Sequence, residues 1–209
     1  MDLNIQGDSV GGIVGGFFSS GYLKNSFTTG TIYVTSYGGG LIGISGAIDI
    51  NDSYSKVNII NNSISSGSAA LGGLIGASTN SKINNSYFLG SITGHPSGSS
   101  FVGGLIGVIF PSFENSFFNS YSAGNLTGGG SLGLVGDKSF TATFNLKDSF
   151  YDQTKYNVNY YSAEIGTPKT TQQMIYNYNG ENTYNNWDFI NTWVDDISGN
   201  LNLGYPYHK

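Results

Sequence analysis

The sequence predicts an all-β chain wound as a β-solenoid of about five coils, made of short strands, with an aromatic-rich C-terminal cap. Three observations carry this expectation. First, a glycine motif recurs as Gly11-Gly12-Ile13-Val14-Gly15, Gly39-Gly40-Leu41-Ile42-Gly43, Gly72-Gly73-Leu74-Ile75-Gly76, Gly103-Gly104-Leu105-Ile106-Gly107 and Leu132-Gly133-Leu134-Val135-Gly136. Its second glycine falls at 12, 40, 73, 104 and 133, in steps of 28, 33, 31 and 29. Recurrence at such a length marks a stack of similar units, and the uneven step assigns the variation to loops at coil corners. Second, an Asn/Asp-Ser-aromatic motif follows each glycine motif in turn. Third, residues 1–165 show no helical periodicity.

In chain order, Asn4-Ile5-Gln6-Gly7 matches Ser91-Ile92-Thr93-Gly94. The chain is therefore expected to start in the last strand of a coil, leaving an open end with unpaired backbone groups. The apolar pair within each glycine motif is β-branched or Leu, which suits a short strand. The flanking glycines permit close approach of backbones.

The second motif reads Leu23-Lys24-Asn25-Ser26-Phe27, Ile50-Asn51-Asp52-Ser53-Tyr54, Ile83-Asn84-Asn85-Ser86-Tyr87, Phe117-Phe118-Asn119-Ser120-Tyr121 and Leu146-Lys147-Asp148-Ser149-Phe150. Strand alternation would put the first apolar residue, the Asn or Asp and the aromatic on one side of a strand. Stacking then yields a ladder of Asn25, Asp52, Asn85, Asn119 and Asp148, with an aromatic ladder two residues on. Buried Asp rungs would need donors from Ser hydroxyls or turn N–H groups. A third element supplies an inward column of Ile32, Ile59, Ile92 and Leu126.

The pattern breaks after Tyr151, dividing the chain into repeats over 1–150 and a capping segment over 151–209. Thr170 to Tyr176 is the one stretch that suits a helical turn, with Thr170 or Thr171 as N-cap. Both tryptophans, Trp187 and Trp193, lie in this tail, as expected of a cover for the last coil.

Composition excludes several function classes. The 209 residues carry a net charge of −5, only 10% are charged, and none is Arg. Eight scattered Lys cannot build the basic face that nucleic acid requires. There is no Cys for disulfides or thiolate sites. No transmembrane run and no signal peptide is read, so membrane insertion is not expected.

The pairing of Gly-Gly-Leu-Ile-Gly with Asn-Ser-Tyr resembles the GLUG repeats of large bacterial surface proteins, among them filamentous-haemagglutinin-like adhesins and IgA-protease-type surface proteins. Phe150-Tyr151-Asp152, Thr170-Thr171-Gln172-Gln173-Met174, Trp187-Asp188-Phe189, Trp193 and Gly204-Tyr205-Pro206-Tyr207 resemble the end of such arrays. The likeness spans nearly the whole chain, and the tail is its more specific part. Leu132 in place of the first glycine, and the second unit's lack of a Gly after its Tyr, depart from the pattern and question local turn shape. The resemblance implies an extracellular or cell-surface stalk, spacer or adhesive module, with no catalytic residues to carry over.

Residue by residue, the chemistry reads as bland. His95 lies in a Gly/Pro/Ser loop, and the second His is at 208, so a metal pair is not expected. Asp195, Asp196, Ser198, Asn200 and Asn202 loosely match a calcium loop but read better as a turn. Asp52 and Asp148 fill ladder places held elsewhere by Asn, which argues structure rather than the carboxylate pair of a glycosidase. The outward row Thr29, Thr31, Asn58, Ser91 and Asn125 is too mixed for an ice-binding face, with Lys56 and Leu89 beside it. Asn51, Asn61, Asn84 and Asn125 occupy N-x-Ser/Thr sequons. No catalytic, metal or cofactor-binding residue is assigned.

The expected function is a non-enzymatic structural or adhesive module displaying loops 61–69, 94–100 and 108–116 to a host or surface glycan or protein. One alternative is a subunit that self-associates through its open N-terminal coil into a head-to-tail filament. Another is a carbohydrate-active β-helix enzyme.

Overall fold

In the computed structural model, residues 3–63, 68–95, 99–111, 114–175 and 182–209 are described, with backbone alone for 160–164. Two parallel sheets wrap a single core as a β-solenoid of about five turns. In one complete coil the chain runs up one sheet as Ile42–Asn51 and returns along the other as Tyr54–Asn61 and Ala70–Gly72. The next coil repeats this with Ile75–Asn84, then Tyr87–Phe88, Ser91–Thr93 and Phe101–Gly103. Among the described residues, the one antiparallel pair is Trp193–Val194 with Tyr207–His208, in the tail.

Register explains the stack. Ile5 pairs with Ile32, Ile32 with Ile59, Ile59 with Ile92, and Ile92 with Leu126. The expected inward column is real, and all four of its members from Ile32 to Leu126 are fully buried. At the N-terminal edge the column's Ile5 is 39% exposed, and Ile13, beside the buried Leu41 of the next glycine motif, is 43% exposed. Each coil shields the next, so apolar strands seal only where a neighbour lies above and below.

The coil turns at two corners. At the glycine corner, a Cβ on Gly39, Gly72 or Gly103 would lie 1.9, 1.9 or 1.8 Å from the carbonyl oxygen three residues on. No side chain fits there, so the two sheets meet backbone to backbone. The last unit solves the corner differently. Gly133 takes φ +95, and Leu132 occupies the first glycine's place with 5% exposure.

The second corner corrects the sequence reading. Asn25, Asp52, Asn85, Asn119 and Asp148 do lie in file, since their neighbours pair in register. They are not strand residues with the aromatic on their own side. All five adopt the left-handed conformation, with φ between 44° and 50°. Asn and Asp tolerate that region best after Gly. The two-residue kink reverses the alternation. Ile50, Ile83 and Phe117 point into the core, whereas Tyr54, Tyr87 and Tyr121 join a separate cluster outside it.

Strand pairing runs past position 150. Tyr156–Ile165 pairs with Asn125–Gly133, and Thr167–Lys169 pairs with Phe150–Asp152. The helical turn is Thr171–Met174, with Thr170 as N-cap in a capping box with Gln173. No helix among the described residues is long and apolar enough to cross a membrane.

Candidate functional site

The flank beside the Asn/Asp corner holds most of the polar and aromatic order in the molecule. Its base is a serine ladder. The hydroxyls of Ser53, Ser86 and Ser120 donate to the carbonyls of Asn51, Asn84 and Phe118, at 2.7, 2.7 and 2.8 Å. Each hydroxyl also accepts the backbone N–H of the Ser one coil earlier: Ser26 to Ser53 at 3.1 Å, Ser53 to Ser86 at 3.1 Å, Ser86 to Ser120 at 3.2 Å. At the left-handed corner the Ser N–H turns to the next coil's hydroxyl, and that hydroxyl adds a second donor to a carbonyl that already accepts the corner N–H of the coil before, as Asn84 O does from Asp52. That explains why Ser holds this place in every unit. Its recurrence was visible in the sequence; the bonding was not.

Outside the serines, Phe27, Tyr54, Tyr87 and Tyr121 stack face to face. Their centroids are 5.1, 4.8 and 5.0 Å apart, with interplanar angles of 8°, 4° and 3°. Such pairs contribute about 0.5–1.5 kcal/mol each beyond burial. The C-terminal tail covers this column. It reaches the last coil's Phe150 and extends back along the flank to Tyr54. Trp187 and Trp193 pack together over Tyr121, with Tyr205 stacked on the same ring.

Polar contacts fix the tail in register. The Tyr121 hydroxyl donates to Pro206 O at 2.7 Å and accepts from Asn202 Nδ2 at 2.9 Å. Tyr205 and Thr171 hydroxyls both donate to Oδ2 of the buried Asp152, at 2.7 and 2.5 Å. Trp187 Nε1 donates to Asp148 O at 3.0 Å. His208 Nε2 lies 2.6 Å from Asn85 O, so that nitrogen carries the proton. Burial pushes the Tyr121 and Tyr184 hydroxyls well above the usual phenol range and pulls the His208 imidazole below its ordinary value.

The tail leaves one end of the column uncovered. There a cleft of about 460 Å³ opens between the corner residues Lys24, Asn25 and Asp52 and the tail residues Thr192, His208 and Lys209. Phe27 and Tyr54 also line it, and Phe27 is 61% exposed. Lys24 Nζ sits 3.7 Å from Asp52 Oδ2, and Asn85 Nδ2 donates to Asp52 Oδ1 at 3.1 Å.

The residues weighed from sequence do not converge on another centre. His95 stays in its loop, its backbone N–H donating to Ser100 Oγ at 2.8 Å. Asp195 and Asp196 separate in role. The Asp196 carboxylate accepts the N–H groups of Leu201, Asn202 and Gly204 at 3.2, 2.6 and 3.0 Å, and the Ser198 hydroxyl at 3.2 Å. Burial raises that carboxyl, and the backbone donors more than offset it, leaving it below the usual range. The string therefore closes a turn on itself. Asp52 and Asp148 stand three rungs apart, roughly 14 Å at about 4.8 Å per strand. That is beyond the separation of a glycosidase pair. Among the described residues, no three His, Cys, Asp or Glu side chains group as metal ligands would.

The outward row is also in register, Thr31 beside Asn58, Ser91 and Asn125, with Ser91 Oγ donating to Asn58 Oδ1 at 2.8 Å. Of the sequon residues, Asn84 donates to Asn51 at 3.0 Å, Asn61 to Ser100 Oγ at 3.0 Å, and Asn125 is exposed. Loops 61–69 and 94–100 leave the same sheet one coil apart, whereas 108–116 leaves the opposite sheet. Their stretches 64–67, 96–98 and 112–113 lie outside the described residues. No family model, no curated protein and no solved structure matches this chain.

Proposed function

We propose that this chain is a non-enzymatic extracellular repeat module that spaces and presents binding surfaces at a cell surface, as its resemblance to GLUG-repeat adhesins implies. The observation that carries the reading is the unbroken run of aliphatic, serine and aromatic columns through successive coils. Coils so tied to their neighbours resist bending, which is what a spacer requires. The partner is a surface glycan or protein met by the flank or the loops. The test is labelling of intact cells of the source with antibody raised against the folded chain. Bright labelling before permeabilisation supports the reading; labelling only after permeabilisation overturns it.

A second reading draws on Leu3–Gly11, which among the described residues pairs with one strand, and on the exposed Ile5 and Ile13 beside it. A neighbour's last coil fitted onto that edge would give a head-to-tail filament. Light scattering that shows only monomer at high concentration removes it.

A further inference from the structure

We infer that the cleft at the uncovered end of the aromatic column is a saccharide site, taking the apolar face of a single neutral hexopyranose. The inference rests on the surface-module reading above and names the partner chemistry for it.

The covered rungs of the column each find a flat apolar partner, another ring of the column or an aromatic of the tail. At the open end Phe27 stacks on Tyr54 and then meets solvent, 61% exposed. A flat, rigid aromatic pair is a low-entropy platform, and its quadrupole favours the weakly positive C–H groups on one face of a pyranose.

The polar groups around the platform suit hydroxyls rather than phosphate. Lys24 and Asp52 already neutralise each other at 3.7 Å. The remaining charge is that of Lys209, whose Nζ donates to Ile190 O. One uncompensated ammonium falls well short of the cluster of cations that holds a polyanion. A sugar hydroxyl is both donor and acceptor, so one pair of vicinal hydroxyls can bridge the Lys24 ammonium and the Asp52 carboxylate. Asn25 and Thr192 line the same cleft and carry an amide and a hydroxyl. The volume, about 460 Å³, lies within the range of small-ligand clefts and admits one ring with its substituents. Phe27 supplies contact area, and Lys24 with Asp52 sets orientation.

The test is saturation-transfer NMR on the full chain with methyl glycosides of glucose, galactose and mannose, and N-acetylglucosamine, each at millimolar concentration. At least one is expected to bind with a dissociation constant in the millimolar range, as a small one-ring contact allows. Phe27→Ala should weaken it at least tenfold, and Lys24→Met several-fold, with far-UV circular dichroism unchanged. Lys24→Met keeps the test alive should Phe27→Ala fail to fold. Silence from every sugar, equal binding to the Phe27→Ala chain, or preferential binding of inorganic phosphate overturns the inference. The two readings fail separately. Adhesion to intact cells without sugar binding sinks the cleft alone, and sugar binding by a chain that no intact cell displays sinks the surface module alone.

Discussion

The inner aliphatic column and the outer aromatic column are built from the same coils, yet they are stabilised in different ways. Ile32, Ile59, Ile92 and Leu126 are sealed by the coil itself, because both sheets close over them. Tyr87 and Tyr121 point away from that core and are sealed only by a segment more than 60 residues later in the chain, with Tyr54 half-buried at its edge. The inner column is a property of the repeat. The outer one belongs to the repeat and tail together, and the tail's hydrogen bonds select individual rungs.

The sharpest way to break this comparison is to truncate one rung of each column. Ile59→Ala and Tyr121→Ala should each cost about 3–5 kcal/mol. The losses should differ in kind. Removing Tyr121 also removes the hydroxyl shared by Asn202 and Pro206, so near-UV signal from Trp187 and Trp193 should fall while the far-UV β signal persists. Removing Ile59 should lower both signals together in thermal melts. Equal loss of far-UV signal in the two variants would show that tail and coils are one cooperative unit.

Next in size is the serine ladder that separates the columns. Ser86→Ala strands the buried N–H of Ser53, while the Asn84 carbonyl keeps the Asp52 N–H, at a cost of about 1–3 kcal/mol. The same change at Ser26, the half-exposed first rung, should cost less, because no preceding N–H is described as bonding to its hydroxyl. Urea midpoints of the two variants give the comparison directly. An equal cost at both rungs would mean that stacking, not hydrogen bonding, keeps Ser at the corner.

Smaller still is a contrast within the tail. Trp187 Nε1 donates to Asp148 O, whereas the buried Trp193 Nε1 finds no acceptor among the described residues. Phe at either place removes the same atoms. Trp187→Phe should therefore be the costlier change, by about 1 kcal/mol. A larger loss at Trp193 would mean that its N–H interacts with the neighbouring rings.

Much of the fold was legible in the sequence because a solenoid writes its register as recurrence. The spacing of Ile32, Ile59, Ile92 and Leu126 gave the inward column, and Thr170 gave the helix N-cap. The corner was misread for a physical reason. Asn-Ser looks like strand by alternation alone, and nothing in a single motif distinguishes an Asn in strand from an Asn in the left-handed region. The constant Ser was the available signal, since a small hydroxyl kept at one place implies a backbone group to satisfy. The footprint of the tail was not legible. Its contacts join residues as far as 145 positions apart, such as Asn202 with Tyr121 and Lys56 with Leu201, and no local pattern encodes them. The cleft shares that opacity, because Asn191, Thr192, His208 and Lys209 of its wall come from the tail.

The smallest predicted effect tests whether tail and column are linked through protons. His208 sits at the tail's end, its ring 4.7 Å from Trp193 and 5.2 Å from Tyr87, with Nε2 on the Asn85 carbonyl. Burial lowers its pKa, opposed by the bond to Asn85 and by the negative charge of Asp52. Lys24 and Lys209 also line the cleft beside it. Above the unfolded value near 6.5 both states are neutral at this residue, and it adds no pH dependence. As pH falls through that value the unfolded chain takes up the proton first. Stability should therefore decline from about pH 6.5 and level off once the folded imidazole is also charged. Asp8, Asp188 and Asp196 have lowered pKa values, so their contribution is lost only as pH falls below the ordinary carboxylate value of 3.8. Two acid steps should appear, and His208→Gln should erase the upper one alone while its amide keeps a donor for Asn85 O. Trp193 fluorescence reads the step locally. An upper step that survives in the His208→Gln chain would place the titrating group elsewhere and leave the tail's end indifferent to pH.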